Sequence, residues 1–213
     1  MKTILCFGDS NTWGYIPGTD GLRYAHDVRW TGVLAAGLGG GRRVIEEGLN
    51  GRTTCWDDPI KPGRRGLDHL PTLLESHAPI DLVLIMLGTN DLKHYFNLRA
   101  FDIALGAAKL VETVQLSDAG PVAGDAKTAP AVLLVSPAHA VDAEAPFGHK
   151  FDEAVAKSQE LGVAYREIDE YGVAFFDAAT VATASSVDGV HLDDTAHAAL
   201  GAALVEVVSG LVG

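Results

Sequence analysis

The 213 residues carry a formal net charge of −12, are 47% hydrophobic and 7% aromatic, and run without a Pro/Gly/Ser-rich linker or an abrupt change of composition. That is enough chain to bury a full core, and residues 1–213 read as one globular domain rather than a disordered chain. Without a basic cluster, neither phosphate neutralisation nor polybasic attraction is on offer, which argues against nucleic acid or an anionic membrane as partner and favours a neutral or cationic substrate.

Short β-branched apolar runs alternate with segments of helical period. Strands are expected at Thr3 to Phe7, Arg43 to Glu47, Asp81 to Leu87, Ala131 to Val135 and Val173 to Phe176. Between them the apolar residues recur at three and four, first as Trp30, Val33, Leu34 and Leu38, then as Leu67, Leu70, Leu73 and Leu74. The same spacing returns as Phe101, Leu105, Ala108 and Val111, and finally as Leu200, Ala203, Leu204, Val207 and Leu211. These are helices with one buried face. The unbroken apolar run from Leu82 to Leu87 implies burial on both faces, the mark of a parallel sheet covered by helices, so the fold class is α/β, a three-layer α/β/α sandwich. Asp193 or Asp194 suits the N-cap of the last helix. No stretch reaches the ~20 apolar residues that span a bilayer. The N-terminus lacks the apolar core and cleavage site of a signal peptide, and the two cysteines, Cys6 and Cys55, lack disulfide or ligand spacing. A cytoplasmic protein with free thiols is expected.

Four polar motifs punctuate this order. Gly8-Asp9-Ser10-Asn11 follows the first strand, Gly48-Leu49-Asn50-Gly51-Arg52 the second, Gly88-Thr89-Asn90-Asp91 the third, and Asp188-Gly189-Val190-His191 comes after the fifth. In open α/β sheets the binding crevice lies outside the carboxyl ends of the strands, so all four fall on one edge. A serine hydroxyl is a poor nucleophile at neutral pH unless a histidine takes its proton and a carboxylate fixes that histidine's tautomer. Asp188, three residues before His191, can reach Nδ1 from a turn while Nε2 faces Ser10. Plainer readings stand beside these: Ser10 as a helix N-cap, Gly51 as a turn glycine with φ > 0, Asn90 as an Asx-turn residue. The other histidines, His139 and His149 among them, read as ordinary surface or core residues.

Together the four blocks resemble the SGNH (GDSL-type) hydrolases, from Gly8 to His191, and most closely their bacterial arylesterase/acyltransferase branch. That closer likeness runs through Arg29-Trp30-Thr31-Gly32-Val33-Leu34, Glu46-Glu47-Gly48-Leu49 with Arg52-Thr53-Thr54, and Ile85 to Asp91. The resemblance implies a flavodoxin-like parallel five-stranded sheet and a serine esterase for short acyl or aryl esters. Ser10 would be nucleophile, His191 base and then acid, and Asp188 their orienting acid. The Ser10 N–H, the Gly51 N–H and the Asn90 amide would form the oxyanion hole. Water, or an alcohol in acyl transfer, would be the acceptor, in a homo-oligomer. Asp9 and Asp91 are expected to tie down loops through nearby backbone. Where the common family motif has leucine after the serine, this chain has Asn11, which suggests a more polar acyl pocket. Trp13, Trp56, Lys93, Phe147, Phe151 and Val190 are candidates for its wall by position, with core packing or plain surface as the competing reading.

No GxSxG elbow, dinucleotide loop or GxxxxGK[ST] is present. No cofactor is expected, and Asp57-Asp58 with His69 reads as solvated acid rather than a metal site. Within the superfamily a carbohydrate O-acetylesterase or a lysophospholipase/thioesterase is the alternative. Outside it, the alternative is a receiver-type regulatory module, disfavoured because Gly-Thr-Asn-Asp replaces the acceptor region and no lysine follows Phe176.

Overall fold

The computed structural model describes residues 1–144, 149–168 and 172–213. Five parallel strands form one sheet: β1 (Lys2–Gly8), β2 (Arg42–Gly48), β3 (Leu82–Met86), β4 (Ala131–Ser136) and β5 (Ala174–Asp177), in the order β2-β1-β3-β4-β5. This is the flavodoxin-like order, in which the chain first winds to one side of β1 and then to the other. The pleat then sorts side chains by parity. Leu5, Phe7, Val83 and Ile85 face α3 (Gly66–His77), α4 (Ala100–Gln115) and α5 (Ala154–Glu167). Ile4, Cys6, Leu82 and Leu84 face α2 (Trp30–Leu38) and α6 (Asp194–Val212). Two apolar cores, one on each face, make the three layers, and every buried Leu, Val or Ile contributes roughly 1.5–3 kcal/mol.

Three details differ from the sequence reading. Helix α5 was not expected, because its buried face is Ala154, Ser158, Leu161, Gly162, Ala164 and Tyr165, too small and too mixed to print an apolar period. In α4 the buried stripe is Ile103, Ala104, Ala107, Leu110, Val111 and Val114, whereas Phe101 and Leu105 are 42% and 44% exposed. The large side chains there mislead because alanines share the inner face with Ile103, Leu110, Val111 and Val114. At 19 residues, α6 is long and apolar enough by length and composition to cross a membrane, contrary to the expectation that no stretch reaches that measure. Here its Leu200, Leu204, Val208 and Val212 are spent on the core shared with α2. Asp193 caps it, accepting the Ala196 N–H at 2.8 Å.

The same helix carries an acid-sensitive contact. His197 is fully buried, and its Nδ1 accepts the Trp30 N–H at 3.3 Å at the start of α2. Burial, with the opposed fields of Asp193 and Arg29 behind it, pulls its pKa down to about 4. A base depressed when folded binds fewer protons than the unfolded chain, so stability falls as pH drops through the window between the ordinary histidine value, ~6.5, and about 4. Asp91, pushed up to about 6 by burial, has the opposite slope in that range. Comparing wild type with His197→Asn, which keeps an acceptor for Trp30, isolates the histidine. The variant should lose less stability between pH 7 and pH 4, by an amount on the order of 3 kcal/mol, read from denaturant midpoints. Identical losses would show that His197 does not drive the acid response.

Candidate active site

The site forms where β1 ends. Gly8 is required there, because α1 (Ser10–Trp13) folds back so sharply that a Cβ on Gly8 would stand 2.0 Å from Thr12 Oγ1 and 2.9 Å from Met86 O. Asp9 caps this single turn, accepting the Asn11 N–H at 2.9 Å on Oδ1. Its Oδ2 accepts from Asn90 Nδ2 at 3.2 Å. Burial raises the Asp9 pKa, against the lowering effect of these donors and of His191 and Arg52.

The C-terminal loop closes over that turn. His191 Nε2 is 3.0 Å from Ser10 Oγ, and His191 Nδ1 is 2.8 Å from Asp188 Oδ2. All three residues are at most 5% exposed. The Asp188 carboxylate is fully engaged: Oδ1 accepts the N–H groups of Val190 (3.1 Å) and His191 (3.0 Å), and Oδ2 also accepts the Gly18 N–H at 3.3 Å. Burial would raise its pKa, but the hydrogen bonds and charge of His191 and the Val190 N–H outweigh it, and Asp188 lies below the usual carboxylate range. The tight loop needs glycine at 189, with φ +80° and only 2.5 Å between a would-be Cβ and Val141 O. A chain of hydrogen bonds thus runs from hydroxyl to imidazole to ionised carboxylate, the geometry that moves a proton off serine.

A cleft of about 250 Å³ exposes this chain, lined by Ser10, His191, Gly51, Asn90, Asn50, Tyr15 and the residues discussed below. Of the wall candidates, Lys93, Phe151 and Val190 line it; Asn11, Trp13 and Trp56 do not. Asn11 instead bridges the Ser10 turn and the His191 loop, its Nδ2 donating to Val190 O at 3.2 Å and its Oδ1 accepting the Leu192 N–H at 2.9 Å. Its amide clamps the histidine loop to the serine turn, so it lends the acyl pocket no polarity. Trp13 packs against Arg23, whose guanidinium carbon is 4.9 Å from the indole centroid. Trp56 is drawn away toward α4, where a Cβ on Gly106 would stand 3.0 Å from its Nε1. Phe147 lies outside the described residues. Gly51 has the expected positive φ of +87°.

Several residues that position the site had no assigned role in the sequence. The Tyr15 ring stacks on the His191 imidazole, with centroids 4.2 Å apart and planes at 21°. Arg52, buried under the Gly51 turn, donates to Gly8 O at 2.8 Å and to Glu47 O, and lies 4.2 Å from the Phe7 ring centroid. It staples the ends of β1 and β2 beneath the cleft, and burial lowers its pKa to about 10. Asp91 does tie a loop, but one far away in sequence, accepting from Thr54 N and, at 2.6 Å, Thr54 Oγ1. Asp58 is held by Lys93 Nζ at 2.8 Å and by Tyr95 Oη, while His69 Nε2 contacts Gly63 O at 3.1 Å. Asp58 is therefore buried and ion-paired rather than solvated as the sequence suggested. Among the described residues no three His, Cys, Asp or Glu side chains are grouped to hold one.

A doubly wound parallel sheet with a buried Ser-His-Asp hydrogen-bond chain at its carboxyl edge defines a hydrolase of the SGNH class. Residues 6–199 match the model of the GDSL-like lipase/acylhydrolase family, and the chain belongs to that family. The chain is similar to the aryl esterase of M. smegmatis, at 46% identity and a TM-score of 0.93 over 99% of this chain and 100% of that one. It is similar to Est24, a carbohydrate acetylesterase from Sinorhizobium meliloti, at 42% identity and a TM-score of 0.93 over the same shares. A lipolytic G-D-S-L family protein from Veillonella parvula, at 16% identity and a TM-score of 0.66 over 98% and 99%, shares the fold. No curated protein sequence matches. The protein is a carboxylic ester hydrolase.

Proposed function

We propose that Ser10 attacks the ester carbonyl, that His191 accepts its proton and returns it to the leaving alcohol, and that Asp188 holds the imidazole in the receptive tautomer. The observation that carries this is the 3.0 Å contact of Ser10 Oγ with His191 Nε2 at the wall of the cleft. The Ser10 N–H, the Gly51 N–H and the Asn90 amide stabilise the tetrahedral oxyanion. In support, neither backbone N–H donates to a protein group among the described residues, and the Asn90 amide is braced by Asp9. Donors fixed before the reaction cost no reorganisation, and each is worth ~10²–10³ in turnover.

A cleft of about 250 Å³ suits a short acyl group, so aryl acetates and acetylated sugars are the proposed substrates, consistent with the similar aryl esterase and carbohydrate acetylesterase. An acyl-enzyme also partitions to alcohols. Exposed apolar side chains at Leu22 and Ile60 stand next to the cleft residues Gly21 and Lys61, which supports an oligomer whose subunits shelter the entrance.

The test pairs fluorophosphonate labelling with an ester panel. The expected result is one adduct, on Ser10, with acetyl aryl and acetyl sugar esters turned over at least about tenfold faster than long-chain esters. Added primary alcohol should divert part of the acyl group, and sedimentation should show more than a monomer. A label elsewhere, or none, overturns the nucleophile; preference for long chains overturns the substrate assignment.

A further inference from the structure

In a chain of net charge −12, the cleft wall gathers cations: Lys61, Lys93 and Lys150 against one carboxylate, Asp20. Lys93 is neutralised by buried Asp58 at 2.8 Å. Lys61 is rooted by the same acid, since Asp58 Oδ1 accepts the backbone N–H of Ile60 at 2.9 Å and of Lys61 at 3.0 Å. Asp58 thus holds the base of Lys61 while its charge goes to Lys93. The Lys61 ammonium lies 3.5 Å from where a Cβ on Gly51 would stand, directly beside the proposed oxyanion donors. Among the described residues it makes no ion pair. Partial burial and then the like charges of Arg64, Lys93 and Lys150 lower its pKa, opposed by Asp58. Charges beyond a Debye length of ~8–10 Å are screened, so a substrate in the cleft responds to these neighbours and not to the net charge of the whole chain.

We infer that Lys61 forms an anion subsite on the cleft wall, and that the preferred esters carry a single carboxylate on their acyl or alcohol portion. A single charge fits because the Lys61 ammonium is the one placed beside the proposed oxyanion donors, while Asp20 on the same wall opposes a second negative charge. The inference rests on the esterase reading of Ser10, and a neutral ester tests that reading separately. The probes are 4-acetoxybenzoate with its methyl ester, and a phenyl hemisuccinate with its methyl ester. At low salt the wild type should favour at least one carboxylate over its neutral partner in kcat/KM. Lys61→Gln should lower that ratio on the order of fivefold, Lys61→Arg should restore it, and salt should erode it. Lys127→Gln, at a residue paired with Asp118 (3.8 Å) in the loop before β4 and so at the opposite edge of the sheet, controls for lost net charge and should leave the ratio unchanged. Equal rates within both pairs, or the same ratio after Lys61→Gln, overturns the subsite even if neutral esters are still hydrolysed through Ser10.

Discussion

Ser10→Ala is expected to lower kcat by about 10⁶, as loss of the nucleophile does in a comparable serine triad, while the melting temperature stays within a few degrees of wild type. The two halves have separate causes. The Ser10 side chain makes one hydrogen bond, to His191 Nε2, and lines the cleft, so removing it leaves a nitrogen that water can reach and opens no apolar cavity. Meanwhile Asp9 still caps α1 and Asn11 still joins the two loops, so the fold keeps its supports. The check is single-turnover hydrolysis of an aryl acetate beside thermal unfolding. An alanine variant with more than a small fraction of wild-type turnover would refute Ser10 as nucleophile, and a large fall in melting temperature would make the hydroxyl a structural group.

Asp188→Asn should cost ~10⁴ in kcat, the size of the equivalent change in the Ser-His-Asp template, and the structure gives the reason. Oδ1 accepts two backbone N–H groups, from Val190 and His191. An asparagine must leave its oxygen there, which turns its NH₂ toward His191 Nδ1. The imidazole then accepts at Nδ1 and carries its proton on Nε2, facing Ser10 with a donor where an acceptor is needed. In the wild type, Asp188 lies below the usual carboxylate range, so it stays ionised as the imidazole is protonated in acid. Activity should therefore be lost as pH falls, because imidazolium cannot accept the serine proton. Near-wild-type activity in Asp188→Asn, or a flat profile between about pH 5 and 8, would remove Asp188 and His191 from the mechanism.

The elements that were legible in the sequence are those written in local patterns. The five strands fall within a residue or two of their expected bounds because each is a short run built around apolar residues. Ser10, Asp188 and His191 were legible because each sits in a short block that follows a strand, Ser10 directly after β1 and the other two in the loop between β5 and α6, where a parallel sheet gathers loops on one edge. Helix α5 escaped because serine and glycine lie on its inner face. The phase of α4 was partly misread, Ala108 and Val111 being buried as expected and Phe101 and Leu105 not, because alanines and a glycine interrupt its inner face.

By itself, then, the sequence determined the layer architecture and the identity of the three residues in the hydrogen-bond chain, since periodicity and the spacing within a short block are properties of neighbouring residues. What only the tertiary structure decided are the pairings between residues far apart in the chain. Asn11 spends its amide on Val190 and Leu192, Tyr15 lies flat on His191, and Arg52 ties Gly8 to Glu47. Asp58 is committed to Lys93, which leaves Lys61 as a cation without a partner among the described residues. A lysine or an asparagine in sequence looks solvated wherever it stands. Its effect depends on which groups the fold brings within about 3–4 Å, because hydrogen bonds and desolvated charges act only at that range.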